Sequence, residues 1–284
     1  VIPDLSLAHL TMIQASPPDL VAIAGRCGYR YVGLRLTEVT GGDAWPLISD
    51  RTLLKETRSE MDASGVGVLD VELVRLCPEA RIDEFVPMLE TAAALGARHV
   101  LTQAHDPDWA RLTENYAAFC DLAADYGMTA DIEFLTWTPM RGVAEARALI
   151  EAVGRDNAGL MIDTLHFSRS RCTLDELDTV PPDRYHYIQI ADAAGEIPAT
   201  NEGLIHTARE DRLMPGEGDL DLRAIIRRLP AGIPVAVEIP NARLAARMSD
   251  EARARAAHEA TCRLLETLSL VPAGGSMDER GQKR

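Results

Sequence analysis

Four oxygen-bearing side chains, Glu133, Asp163, Gln189 and Glu238, each stand at the C-terminal end of a short apolar run: TADIEF, GLMID, YHYIQI and PVAVEI. Runs of this length and composition read as β-strands. If the strands are parallel and successive, four such residues at equivalent ends converge on one point. Three carboxylates are not held close together without a cation or protons to offset their repulsion. A lone Glu at a strand end is usually a rim ion pair. Four at the ends of consecutive strands point instead to a divalent metal site, since a core excludes unpaired charge. The hard oxygen donors favour Mn²⁺ or Mg²⁺, with Co²⁺ or Zn²⁺ as alternatives. Such a metal acts as a Lewis acid on a bound carbonyl and acidifies the neighbouring C–H.

Other residues fall where they can serve the same chemistry. His166, three residues past Asp163, can act as an acid or base or orient a substrate; its plainer role is packing or capping. His105 follows the fourth strand-like run and is a further rim candidate. Trp137, four residues past Glu133, can wall a sugar-like ring or simply pack its loop. Arg209 and Arg212 sit in HTAREDRLMPGEGDLDL, where guanidinium groups can clamp a carboxylate or phosphate, or pair with Glu210, Asp211 or Glu217 beside them. His186 lies three residues before Gln189, so strand alternation expects it to face outward, toward the helices.

The elements that must position these residues recur along the chain. Strand-like runs at 4–10, 29–36, 66–74 and 98–103 precede those at 128–134, 159–163, 185–190 and 234–239. Helix-period segments separate them. One opens with Ser16 and two prolines and closes on Gly28; others stop at Gly96, Gly127 and Gly154. Eight strand–helix units with no second sheet pattern predict a single (β/α)8 barrel over 1–271. An open doubly wound sheet would normally carry a Gly-rich phosphate loop, and no such sequence is present. The segment from Ala191 to about Gly218 is long enough to be a lid or binding loop. Asp219 is expected to cap the helix that follows it. The polar, Gly-rich stretch 272–284 is expected to be a mobile tail.

The 284 residues are 46% apolar and 26% charged, with a formal net charge of −15. That acidity argues against nucleic acid or an anionic membrane as partner. No apolar stretch nears the ~20 residues that span a bilayer, and the N-terminus lacks a secretory pattern. Five scattered cysteines without a CxxC pair suit a reducing, cytoplasmic setting. The expected partner is a small polyhydroxylated or keto-acid substrate, with self-association left open.

The set Glu133, Asp163, Gln189 and Glu238, with His166 in an Asp-x-x-His arrangement, resembles the xylose isomerase-like TIM barrels. In that superfamily the metal ligands are Glu, Asp, His and Glu at the ends of strands five to eight. The resemblance implies the same ligand roles here, with Gln189 in the His position. A Gln there is similar to the 3-dehydroshikimate dehydratase branch, as are Glu-x-Leu-x-Trp at 133–137, Gln-x-x-Asp-Ala at 189–193 and Arg-x-x-Arg before PGEGDLDL. By that likeness Arg209 and Arg212 would hold a carboxylate. Near strand three the chain reads DVELVRL and departs from that branch. The expected activity is therefore a divalent-metal-dependent sugar or sugar-phosphate isomerase or epimerase. It would abstract a proton α to a carbonyl, with Glu133 and Glu238 as base and acid and His166 assisting. The alternatives are a dehydratase-type lyase using the same site, and a non-catalytic metabolite-binding barrel.

Overall fold

Each strand-like run in the sequence forms a strand, and each is followed by a turn back through one or more helices. The computed structural model describes residues 2–39 and 41–269, so the tail expected beyond 271 lies outside the described residues. The strands are β1 (Leu5–Leu7), β2 (Tyr31–Arg35), β3 (Gly67–Leu76), β4 (His99–Ala104), β5 (Thr129–Glu133), β6 (Ala158–Leu160), β7 (Ile162–Asp163), β8 (Ile188–Ile190) and β9 (Val235–Val237). They pair in parallel, in the order β6-β5-β4-β3-β2-β1-β9-β8-β7. The predicted sixth run is split into β6, which pairs with β5, and β7, which pairs with β8. Met161 joins the two halves and donates its backbone N–H to Ile132 O at 2.9 Å. The result is a nearly closed (β/α)8 barrel, as the eight units predict.

The main helices are α1 (Pro17–Cys27), α2 (Arg51–Ser64), α3 (Val86–Ala94), α4 (Trp109–Asp125), α5 (Val143–Val153), α6 (Thr164–Ser170), α7 (Leu174–Leu177), α8 (Asn201–Glu210), α9 (Leu222–Arg228), α10 (Ala242–Ala245) and α11 (Asp250–Ser269). Local chemistry sets their ends. Ser16 Oγ accepts from Asp19 N at the start of α1, and Gly28 closes it in the left-handed conformation with φ 90°. Among the described residues, none of these helices is long and apolar enough to cross a membrane. All five cysteines are free thiols.

Alternation along the strands sorts two cores. Leu34, Val71, Val100, Ile132, Leu160, Ile190 and Val237 belong to the shell packed under the helices. Tyr31, Leu69, Leu101, Met161, Tyr187 and Ala236 form a second cluster inside the barrel. Each of Leu101, Met161, Tyr187 and Ala236 sits two residues before a polar strand-end residue: Gln103, Asp163, Gln189 and Glu238. The period of two therefore points those polar residues inward.

Three local expectations are corrected. The segment after β8 is not an irregular loop throughout, because α8 forms within it, capped by Thr200 Oγ1 accepting from Gly203 N at 3.1 Å. The cap of α9 is Asp221, which accepts from Ala224 N at 3.1 Å, whereas Asp219 accepts from Gly195 N at 2.9 Å. His186 bonds through Nδ1 to Asp131 Oδ1 at 2.5 Å and stacks on His99. Asp131 lies two residues before Glu133 on its inward face, so His186 turns toward the barrel. It precedes β8, where strand alternation no longer governs side-chain direction.

Candidate active site

Strand ends deliver the polar cluster. Gln103 and Glu133 are register partners on β4 and β5, and Asp163 and Gln189 on β7 and β8. Glu238 follows β9 and donates its backbone N–H to Ile190 O. All five side chains are buried. Gln103, Glu133 and Glu238 line a cavity of about 420 Å³ whose walls include Arg35, Arg75, His105, Trp137, His166 and Arg209.

The cluster is tightest around Glu133, Asp163 and His166, whose ligand atoms all lie within 4.8 Å of one another. His166 Nε2 is 3.7 Å from Glu133 Oε1 and 4.0 Å from Asp163 Oδ2. Asp163 also caps α6, its Oδ1 accepting from Leu165 N and His166 N. That cap places His166 on the first turn of the helix, facing back over the carboxylates. Trp137 meets the His166 ring edge-on, with centroids 5.3 Å apart.

Arg212 holds the far side of the cluster. Its guanidinium is 1% exposed and reaches Asp163 Oδ2 at 2.6 Å and Glu238 Oε2 at 2.8 Å. The alternative of pairing with Glu210, Asp211 or Glu217 is not the one Arg212 takes, because the segment after α8 folds into the barrel mouth and places it inside. Asn241 Nδ2 donates to Arg212 O at 2.7 Å and fixes that inward path. Arg209 and Arg212 both line the cavity. His105 also lines the cavity, with Nε2 3.2 Å from Gln103 Oε1.

Burial and neighbouring charge set the proton affinities. Burial, reinforced by Asp163, pushes Glu133 up to about 8, against the hydrogen bond from Gln103 Nε2 to its Oε2 at 2.5 Å. Burial also raises Glu238 well above the carboxylate range, with Arg212 opposing. Burial works the same way on Asp163, but Arg212 and His166 overcome it and hold it below its ordinary value. Burial pulls His166 down to about 4, against the attraction of Asp163. His105 is likewise lowered to about 4 by burial and Arg75. Neutral imidazoles thus face two carboxyl groups whose proton affinities are raised by burial, Glu133 to about 8.

Among the described residues, Glu133, Asp163 and His166 are grouped closely enough to share one cation, while Glu238 lies outside that group and is paired with Arg212. Glu133, Asp163 and Glu238 supply buried carboxylate oxygens. Gln189 is fully buried, and its Oε1 has no hydrogen-bond partner among the described residues. Three carboxylates and an amide oxygen match a hard ion.

Several residues of this region escape the sequence reading. Gln103 holds Glu133. Arg35 and Glu72 pair beneath the rim, with Arg35 Nη2 donating to Glu72 Oε2 at 2.7 Å. Arg75 lines the cavity, and burial and Arg209 lower its proton affinity. The available signal was a charged residue interrupting an apolar strand, as in YVGLRL and VGVLDVELV.

Comparison with known proteins gives the same architecture. A family model described as xylose isomerase-like TIM barrel matches residues 21–264. An inosose isomerase of Bacillus licheniformis is 28% identical over 159 residues, covering 52% of this chain and 55% of that protein. The chain thus spans about half the length of that curated relative. Among solved structures, IOLI protein with a binding zinc atom superposes with a TM-score of 0.77 at 20% identity, over 93% of this chain and 99% of that one. A D-psicose 3-epimerase with D-tagatose, from Clostridium cellulolyticum H10, gives a TM-score of 0.72 at 13% identity, over 93% and 99%.

Proposed function

The chain belongs to the xylose isomerase-like TIM barrel family, and from that premise we propose that it is a divalent-metal-dependent isomerase or epimerase of a small polyhydroxylated carbonyl compound. The observation that carries this reading is the grouping of buried Glu133, Asp163 and His166 within 4.8 Å, with Glu133 and Glu238 both facing a cavity at the barrel rim. The inosose isomerase relatives support the substrate class. The zinc in the IOLI neighbour supports a metal.

In this reading Glu133, Asp163, Gln189 and Glu238 hold the cation. When bound there, the ion supplies Lewis acidity toward a substrate carbonyl and so acidifies the adjacent C–H. Glu133 and Glu238 face the cavity and move the proton, one as base and one as acid. The affinity of Glu133, raised to about 8, places its exchange close to working pH, where general acid–base catalysis is most efficient. Gln103 orients Glu133 through Oε2. His166, neutral and wedged between Glu133 and Trp137, hydrogen-bonds a substrate hydroxyl. Arg212 fixes Asp163 and Glu238. Trp137 offers an apolar wall to a sugar face.

A second reading, loss of a β-hydroxyl by a dehydratase-type lyase, is favoured by one feature. Arg75 and Arg209 share the cavity wall and raise its positive charge, which suits a carboxylate-bearing substrate.

The test is deuterium wash-in. The Mn²⁺-loaded protein is incubated in D₂O with a panel of ketoses and inososes, and exchange at the carbon next to the carbonyl is read by NMR. Exchange is expected for at least one member, falling about 10²- to 10⁴-fold in Glu133→Gln. No exchange across the panel, with ultraviolet-detected catechol acid formation from 3-dehydroshikimate, moves the assignment to the lyase. Neither activity sinks both.

A further inference from the structure

Glu72 lies on β3, carries no motif, and is fully buried. Its two oxygens face different partners. Oε2 accepts from Arg35 Nε at 3.0 Å and from Nη2 at 2.7 Å. Oε1 accepts from Gln189 Nε2 at 3.4 Å. Arg35 is held from its other side, with Nη1 3.4 Å from Asp43 Oδ2. Glu72 is therefore anchored by a guanidinium that does not itself reach Gln189.

A primary amide has a donor end and an acceptor end, exchanged by a half-turn of its last bond. A carboxylate oxygen behind it selects the donor end. The acceptor end must then turn away, and Gln189 Oε1 is indeed a buried atom without a partner among the described residues. Asp163 is the register partner of Gln189, so the amide stands beside the carboxylate cluster. In the reverse orientation the NH₂ group would face any cation held there, and could not ligate it.

We infer that Glu72, backed by Arg35, is a positioning residue that fixes the Gln189 amide with its oxygen toward the metal centre. The inference rests on the metal-dependent reading above. It accounts for an amide serving in a set of carboxylates: a side chain with two chemically opposite ends needs a second residue to choose between them. Partners of this kind typically tune metal affinity about 10- to 100-fold.

The test uses the full chain stripped of metal and titrated with Mn²⁺ by calorimetry. Glu72→Gln is expected to weaken binding about 10- to 100-fold, because an amide behind Gln189 accepts either orientation. Glu72→Asp keeps the carboxylate beside Arg35 but withdraws Oε1 by one methylene, and the same direction of loss is expected. A Gln189→Ala background separates orientation from charge. If Glu72 acts through Gln189, either Glu72 substitution adds no further loss there. Equal losses in the two backgrounds would mean that Glu72 contributes only its charge, and would overturn the assignment. So would wild-type affinity in Glu72→Asp. Should Glu72→Gln fail to fold, the Glu72→Asp arm completes the cycle alone. Failure of the wild-type chain itself to bind Mn²⁺ overturns the metal reading and this assignment with it, whereas binding that is indifferent to Glu72 overturns the assignment alone.

Discussion

Glu133 meets two opposed demands. Burial and the charge of Asp163 drive it toward the protonated form, at about 8, while a cation would need it ionised. In the metal-free protein it therefore holds a proton at pH 7, and metal binding must displace that proton. The sign follows directly: as pH rises toward 8 the competing proton leaves, so apparent metal affinity rises. The expected gain is about tenfold per pH unit for each proton displaced, between pH 6 and 8. Above about 8 the share due to Glu133 levels off. His166, lowered to about 4, stays neutral over the range and adds nothing. Calorimetric Mn²⁺ titrations in two buffers of different ionisation enthalpy give the affinity and the protons released together. A flat affinity from pH 6 to 8 with no proton release would contradict this picture.

The element that delivers Arg209 and Arg212 is tied down by one side chain outside the cavity. Asp192, 1% exposed, follows β8 and pairs by its backbone with Leu213 in both directions, at 2.9 and 2.8 Å. Its carboxyl group accepts from Ala193 N and Leu220 N through Oδ1 and from Gly216 N through Oδ2. The chain leaving β8 and the chain returning after α8 are thereby locked together. Gly218 passes so close that an added Cβ would lie 2.7 Å from Ala193 N and would overlap Asp192 Oδ1. Gly218→Ala is thus expected to dislodge the return segment and pull Arg212 off Asp163 and Glu238. Unfolding stability should fall by about 2 kcal/mol, the scale for overpacking and lost buried hydrogen bonds. Limited proteolysis should cut between 191 and 218 faster than in the wild type. Wild-type stability and resistance to cleavage would show that the segment has room to adjust. The inward path of Arg212 was not legible in the sequence, since it depends on Asp192, Gly218 and Asn241, which lie far from one another along the chain or carry no periodic signal. The strand-end carboxylates were legible, because a period of two places Glu133, Asp163, Gln189 and Glu238 on the inner face once the strands are recognised. Glu72 and Arg35 fell between the two cases: their charge stood out in apolar runs, but only the barrel's closure brings β3 opposite β8.

At the scale of the whole molecule, the barrel interior has to accommodate more charge than its rim uses. Below the cavity floor lie two further buried carboxyl groups with different fates. Asp131 accepts from Thr129 Oγ1 at 2.5 Å and is 2.5 Å from His186 Nδ1. Asp70, the register partner of His99 on β4, is 0% exposed, and neither of its oxygens has a hydrogen-bond partner among the described residues. It fills the space over Gly33, where a Cβ would stand 2.8 Å from Asp70 Oδ1. Burial first, then the charges of Glu72 and Asp131, raise its proton affinity well above the carboxylate range. The folded protein therefore keeps this proton at pH values where the unfolded chain releases it. Stability from Asp70 is fully present below its unfolded value near 4 and declines as pH rises, until the folded group also ionises. The slope for one proton is about 1.4 kcal/mol per pH unit. Asp70→Asn has nearly the same shape and does not titrate. Comparing it with the wild type cancels the parallel effects of Glu133 and Glu238. The variant is expected to gain stability relative to wild type as pH rises above about 5, as read from urea unfolding at each pH. A difference between the two that does not change with pH would mean that Asp70 finds a partner or water in solution and that the barrel interior tolerates its charge.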